Sequence, residues 1–210
     1  MVESSKLALF LTAAFLLAIA PGPGTLYVLA RSLAGGRREG VLSSLGTFVG
    51  GMVHVLAAAA GVSVVLARSA LAFATVKYAG AAYLCFLGIR MIADARREGN
   101  SLPANVLAPV RNPFWQGIAT EVLNPKTALF FLSFIPQFVN RESGHVFWQF
   151  LLLGTISVVL NTSADLVVTM FAGPLGNRIR SSVKFRRAQR TATGATMIGL
   201  GTYLATSKSE

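Results

Sequence analysis

Six apolar stretches divide this chain, approximately Leu7 to Ala30, Val41 to Ala67, Leu71 to Ile92, Phe114 to Val139, Val146 to Phe171 and Ala192 to Ala205. A helix needs about 20 apolar residues to cross a hydrocarbon core of roughly 30 Å. All six stretches are read as spans, the sixth being the shortest. The connections between them alternate in charge. Arg31, Arg37 and Arg38 fall between the first and second stretches, Arg90 at the end of the third with Arg96, Arg97 and Arg111 between it and the fourth, and Arg178, Arg180, Lys184, Arg186, Arg187 and Arg190 between the fifth and sixth. The connections around Arg68 and around Arg141, Glu142 and His145 are short and nearly neutral. Every second connection is therefore basic, the pattern of loops retained in the cytoplasm.

That pattern predicts an all-α integral membrane protein of six transmembrane helices, multi-pass in an inner membrane, with both termini outside. Charged residues make up 13% of the chain, about half the share in a soluble domain. The net charge of +11 would suggest nucleic acid in a soluble protein. Here 13 of the 19 Lys and Arg sit in the three basic connections, so the bilayer and not nucleic acid is the expected partner. The N-terminal run resembles a signal peptide, but its leading charge is weak and no small-residue cleavage site precedes the prolines, so it reads as a retained first helix. Cys85 is the only cysteine and has no internal disulfide partner.

The chain reads as one transporter domain over residues 1–210, and the two halves align. PGTLYVLARSL from Pro23 lies over PKTALFFLSFI from Pro125. Each is followed by a polar turn, GGRREG or VNRESG, and then by a helix with Gly46-Thr47 or Gly154-Thr155. KYAGAAYLCFLG and RTATGATMIGLG share a weaker pattern in the third and sixth stretches. Repeat one covers about 7–92, a cytoplasmic connection about 93–113 and repeat two about 114–205. Three spans is odd, so the second copy enters the membrane in the opposite sense. Inverted repeats with interrupted helices at matching positions mark secondary transporters, with the interruptions pointing to the binding site.

The interruptions are explicit. APGPG places Pro21, Gly22, Pro23 and Gly24 inside the first stretch, where proline removes a donor and clashes with the preceding turn. In the fourth, TEVLNPKT puts Asn124, Pro125 and Lys126 about 15 to 18 Å deep. Asn124 is a good N-cap and Pro125 suits the first helical position, so a half-helix begins there with free amides that attract an anion. A lysine near the midplane costs roughly 2.5 to 3.5 kcal/mol without a partner or an aqueous cavity. Two readings of Lys126 stand: a permanent pair with Glu121 or Asp165, or a ligand for substrate.

Asp165, with Asn161 one turn earlier on the same face, and Glu121 are the acidic candidates. A desolvated carboxylate suits proton or amine exchange, and an ion pair is the alternative. His54 reads as a packing residue or a relay, and Tyr83 as a ligand contact or a residue bonded to backbone. No metal-ligand cluster, Gly-rich phosphate loop or nucleophile with an evident base is present in the sequence, so neither an enzyme nor a bound cofactor is expected.

PGPG at 21–24, KYAGAAYLCFLG at 77–88, LNPKTALFFLSFIPQF at 123–138 and Asp165 together resemble the LysE/RhtB superfamily of amino-acid exporters, in that family's order and over most of the chain. The resemblance implies a bacterial inner-membrane protein that expels amino acids or related metabolites, driven by the proton gradient as antiport. Members differ in substrate, so the resemblance selects none. In MFAGPLGN, Ala172 stands where other members often carry an aromatic hydroxyl. A carrier or channel for an inorganic ion or another small solute is the alternative function. The sequence pattern is compatible with a monomer or a homo-oligomer.

Overall fold

The computed structural model describes residues 4–20, 22–68, 70–97, 112–140, 144–181 and 183–206. Those residues are helical and include no strand. Helix α1 covers Ser4–Ile19 and ends at the APGPG break; Pro21 lies outside the described residues. Helix α2 begins at Pro23 and runs to Arg68. The GGRREG turn expected between the first two stretches is reduced to one residue. Gly36 has φ 73° and ψ −166°, so α2 changes direction there while both arms remain helical. A left-handed φ without a Cβ penalty is available only to glycine, which is why a single residue suffices.

Helix α3 covers Ala70–Arg97. Helix α4, Pro113–Val122, is capped by Asn112, whose side chain accepts from the Trp115 amide. Helix α5, Pro125–Leu129, follows after a bend of 45°. It passes into a wide π turn over Phe130–Phe134 and a tight 3-10 turn over Ile135–Phe138. Pro136 accounts for this loosening, because a proline cannot donate to the carbonyl four residues back and its ring crowds it. Helices α6, Val146–Ser181, and α7, Val183–Thr206, complete the chain.

Among the described residues, Pro23–Gly61 and Val146–Ala172 are long and apolar enough to cross a membrane, and the bent pair Pro113–Val122 with Pro125–Phe138 makes a third such segment. Leu7–Ile19 is apolar but shorter. Helices α3 and α7 have the length, but their apolar residues are diluted by charged and small polar ones.

In lipid, helices associate through small residues that let backbones approach. Helix α2 packs on α4 and α6, and α3 packs on α7. A Cβ on Gly46 would run into the Phe114 carbonyl and lie 3.0 Å from Gly117 Cα. A Cβ on Gly117 would lie 2.7 Å from the Ser43 carbonyl. Gly46→Ala is therefore expected to lower stability by about 1 to 3 kcal/mol through overpacking against rigid backbone. Thermal unfolding in detergent measures this, and an unchanged midpoint would mean that α2 and α4 are not in contact at this point.

Helices α3 and α7 meet reciprocally. A Cβ on Gly88 would lie 2.5 Å from the Gly194 carbonyl, and one on Gly194 would lie 2.5 Å from the Gly88 carbonyl. Gly201 faces the Ala81 carbonyl in the same way, at 2.8 Å. The apolar centre is aromatic: Phe10 meets Phe138 at 5.3 Å, and Phe134 stands 5.1 Å from Phe130 and 5.0 Å from Phe138. Of these rings, Phe130 reaches the space where the two helix breaks meet.

Candidate functional site

The two interruptions lie against each other. Asn124 has an extended ψ of 107° and its side chain accepts from the Lys126 amide at 3.1 Å, with Pro125 at the first helical position. The cap therefore occupies the nearest free amide of α5. Lys126 Nζ donates to the Leu17 carbonyl at 2.8 Å and to the Ala20 carbonyl. Those are open acceptors at the C-terminal end of α1, whose last carbonyls have no intrahelical donor. A positive charge at a helix C-terminus is also favoured by the helix dipole. Lys126 thus closes the broken end of α1 from the opposite half of the chain, a role absent from both readings based on sequence. Gly22 permits this: a Cβ there would lie 2.9 Å from Lys126 Cδ.

Glu121 closes the second break. Its Oε1 accepts from Thr127 Oγ1 at 2.6 Å and its Oε2 from Asn124 Nδ2 at 3.1 Å. Its main-chain carbonyl accepts from the Asn124 amide at 3.0 Å and from His54 Nε2 at 2.9 Å, so His54 carries its hydrogen on Nε2. The His54 ring also stacks on Phe131, with centroids 6.2 Å apart. Gly24 gives the Glu121 carboxylate room, since a Cβ there would strike Oε2. Lys126 thus secures the first break from the second half of the chain, whereas Glu121 secures the second break from within it, its carboxylate packed beside Gly24 in the first turn of α2.

Asp165 is fully buried in α6. Thr47 Oγ1 donates to its Oδ2 at 3.2 Å and Thr25 stands beside the carboxylate, but Oδ1 has no hydrogen-bond partner. Glu121 is 4% exposed and Lys126 5%. The buried cluster therefore holds one cationic and two acidic side chains, and only Asp165 has an unused acceptor.

A cavity of about 30 Å³ opens between the breaks. Gly22, Gly24, Glu121, Asn124, Lys126 and Asn161, all candidates from the sequence, line it. Thr25 and Thr47 form part of the wall and separate it from Asp165. Pro23 and Pro125 start their half-helices without entering the wall. Tyr83 lies elsewhere, 41% exposed on α3 with its ring 6.0 Å from Phe86. Among the described residues no group of three or more His, Cys, Asp or Glu could hold a metal ion.

The family model described as LysE type translocator matches residues 15–208. The chain belongs to this family. The translocator is 36% identical over 196 residues to an uncharacterized membrane protein of Pseudomonas aeruginosa, covering 89% of this chain and 88% of that protein. It is 30% identical to an uncharacterized membrane protein of Vibrio cholerae, covering 95% and 96%. It is 28% identical to a leucine efflux protein of an Enterobacter species, covering 93% of each chain. No solved structure matches. The family is one of transporters and not of enzymes.

Sequence reading missed the hydroxyls of this translocator. Thr25, Thr47, Thr127, Ser157 and Thr162 all reach the cavity wall. The signal was present: Thr25 and Thr127 stand two residues after the matched prolines, and each hydroxyl lies beside one of the two acids.

Proposed function

We propose that this translocator exports neutral amino acids across the bacterial inner membrane in exchange for protons. It would do so through six spans built as two inverted three-helix repeats with both termini outside. The observation that carries the reading is the buried, incompletely bonded Asp165 beside a cavity at two interlocked helix breaks. With both acids ionised the cluster is one positive charge short, and a desolvated charge of that kind calls for a cation. A proton and a substrate ammonium compete for the same Oδ1, and that competition is the physical basis of antiport.

Several features support the rest. The leucine efflux relatives and the apolar walls from Leu17, Phe130, Phe131 and Val158 favour an aliphatic side chain. Lys126 and Glu121 are already bonded, so a second charged group on the substrate finds no free counter-ion. The amides after Pro23 have no side-chain cap, because Gly22 occupies the position that Asn124 fills in the second half. These amides suit the substrate carboxylate. The reciprocal glycine contacts of α3 and α7 follow the aligned positions of the two halves, as a two-fold relation between repeats requires.

The cavity holds about two waters as it stands, since one water needs roughly 10 to 15 Å³. An amino acid therefore enters only if the halves separate, which fits alternating access by rocking of one repeat against the other. Proteoliposomes loaded with radiolabelled leucine, with acid outside, test the reading. Leucine efflux accompanied by acidification of the lumen is expected. No flux of leucine or any other proteinogenic amino acid would overturn it, and flux without acidification would remove proton coupling alone.

A further inference from the structure

The cavity at the two breaks is polar at one level and apolar at the next. Along α2, Thr47 donates to Asp165, and one turn later a Cβ on Gly51 would lie 3.0 Å from Val158 Cγ2. A turn further, Val55 Cγ1 would lie 2.9 Å from a Cβ on Gly154. Residue numbers rise on α2 as they fall on α6, so these two helices are antiparallel. Helices α1 and α5 repeat the order. Ala14, Leu17 and Ala18 share one face of α1 ahead of its break, and Phe130 and Phe131 lie one turn after Lys126 and Thr127. Phe131 joins the two sets, because its ring stacks on His54 with centroids 6.2 Å apart and would meet a Gly154 Cβ at 3.0 Å from Cε1. All four elements therefore turn apolar on the same side of the breaks. Phe131 ends that apolar level. It is buried, and His54 and Gly154 behind it do not line the cavity. His54 is itself anchored to the second break through the Glu121 carbonyl.

We propose that Phe131 sets the longest side chain this translocator exports, with His54 and Gly154 as positioning residues for its ring. This deepens the amino-acid reading above and rests on it. A zwitterionic amino acid has one orientation in such a site that leaves its polar groups satisfied. Its ammonium and carboxylate lie at the level of the breaks, and its side chain points toward Phe131. The reverse orientation strands two charged groups at the apolar level, and a buried charge without a partner is strongly disfavoured. The same penalty rejects substrates whose side chains are charged. Length is then decided by the ring. When the halves part, an isobutyl side chain stops short of Phe131, whereas a benzyl side chain needs the volume that Phe131 fills. The ring cannot simply swing aside, because α2 and α6 pack on each other and hold it from both sides. The substrate class is therefore amino acids with short or branched aliphatic side chains.

The test measures KM in proteoliposomes for radiolabelled alanine, leucine and phenylalanine, a quantity independent of how much protein is inserted. In the unsubstituted protein the KM for phenylalanine should exceed that for leucine by about tenfold or more, the order for a misfit of a methylene or more in an apolar pocket. Phe131→Ala is expected to remove that difference while leaving the KM for alanine unchanged. If Phe131→Ala fails to fold, Phe131→Leu should move the ratio in the same direction by a smaller factor. His54→Gln keeps a donor for the Glu121 carbonyl but deletes the stacked ring, and it too should lower the phenylalanine-to-leucine ratio. A change of all three KM values by one factor in His54→Gln would remove its positioning role. An unchanged ratio in the folded Phe131 variants, or phenylalanine handled as well as leucine by the unsubstituted protein, would overturn the length limit and leave the export reading standing. Absence of flux of any proteinogenic amino acid in the unsubstituted protein would overturn both.

Discussion

Lys126→Ala is expected to abolish leucine efflux and to destabilise the protein by about 3 to 5 kcal/mol, the cost of removing one partner from a buried charged network. The side chain does two things at once. It satisfies the carbonyls of Leu17 and Ala20 at the open end of α1, and it supplies the only cationic side chain among the residues lining the cavity beside Glu121. Alanine leaves both acceptors buried without a donor, each costing about 1 to 3 kcal/mol. Chemical or thermal unfolding in a mild detergent separates this role from the alternatives. A variant as stable as the original, with only a raised KM for leucine, would make Lys126 a substrate ligand and remove its structural role.

Asp165→Asn is expected to have the opposite profile. Asparagine is nearly isosteric, its amide oxygen still accepts from Thr47, and removing a buried charge is neutral or stabilising. The unfolding temperature should therefore hold or rise. Efflux driven by external acid should fall about a hundredfold, the order for losing one charged hydrogen bond to the substrate ammonium. What flux remains should no longer depend on external pH, because under the proposed antiport Asp165 is the carboxylate that takes up the proton. Proton-coupled efflux at the original rate in a folded Asp165→Asn protein would move the coupling site elsewhere, with Glu121 the next residue to replace.

The contrast between the two variants shows how far local sequence reaches. The Asn124 cap and the helix start at Pro125 were legible because a cap is a bond between residues two positions apart. The break after α1 was legible for a similar reason, since Pro23 and its flanking glycines act on their own turn. The corner was not: GGRREG reads as a turn of several residues, yet one left-handed glycine makes it and the following residues stay helical. Arg31 reads as a loop cation because its neighbours Arg37 and Arg38 are exposed. In the fold it is buried, with Glu39 from beyond the corner 3.7 Å away.

His54 shows the same limit. A lone histidine in an apolar helix has no local partner to declare it, and its bond to the Glu121 carbonyl spans 67 positions. Tyr83 lay in a segment shared with the family but points away from the cavity, because α3 turns its small residues toward α7 and leaves the ring outside.

From the sequence alone came the membrane, the expected alternation of inside and outside loops, the two helix breaks, the family resemblance and the candidate acids Glu121 and Asp165. All are properties of apolar length, loop charge or a few adjacent residues. The fold decided which charge meets which. Lys126 reaches α1 across 106 and 109 positions, and Thr47 reaches Asp165 across 118. Partners that distant are chosen by which backbones glycine lets approach, and burial then requires each polar group to find one.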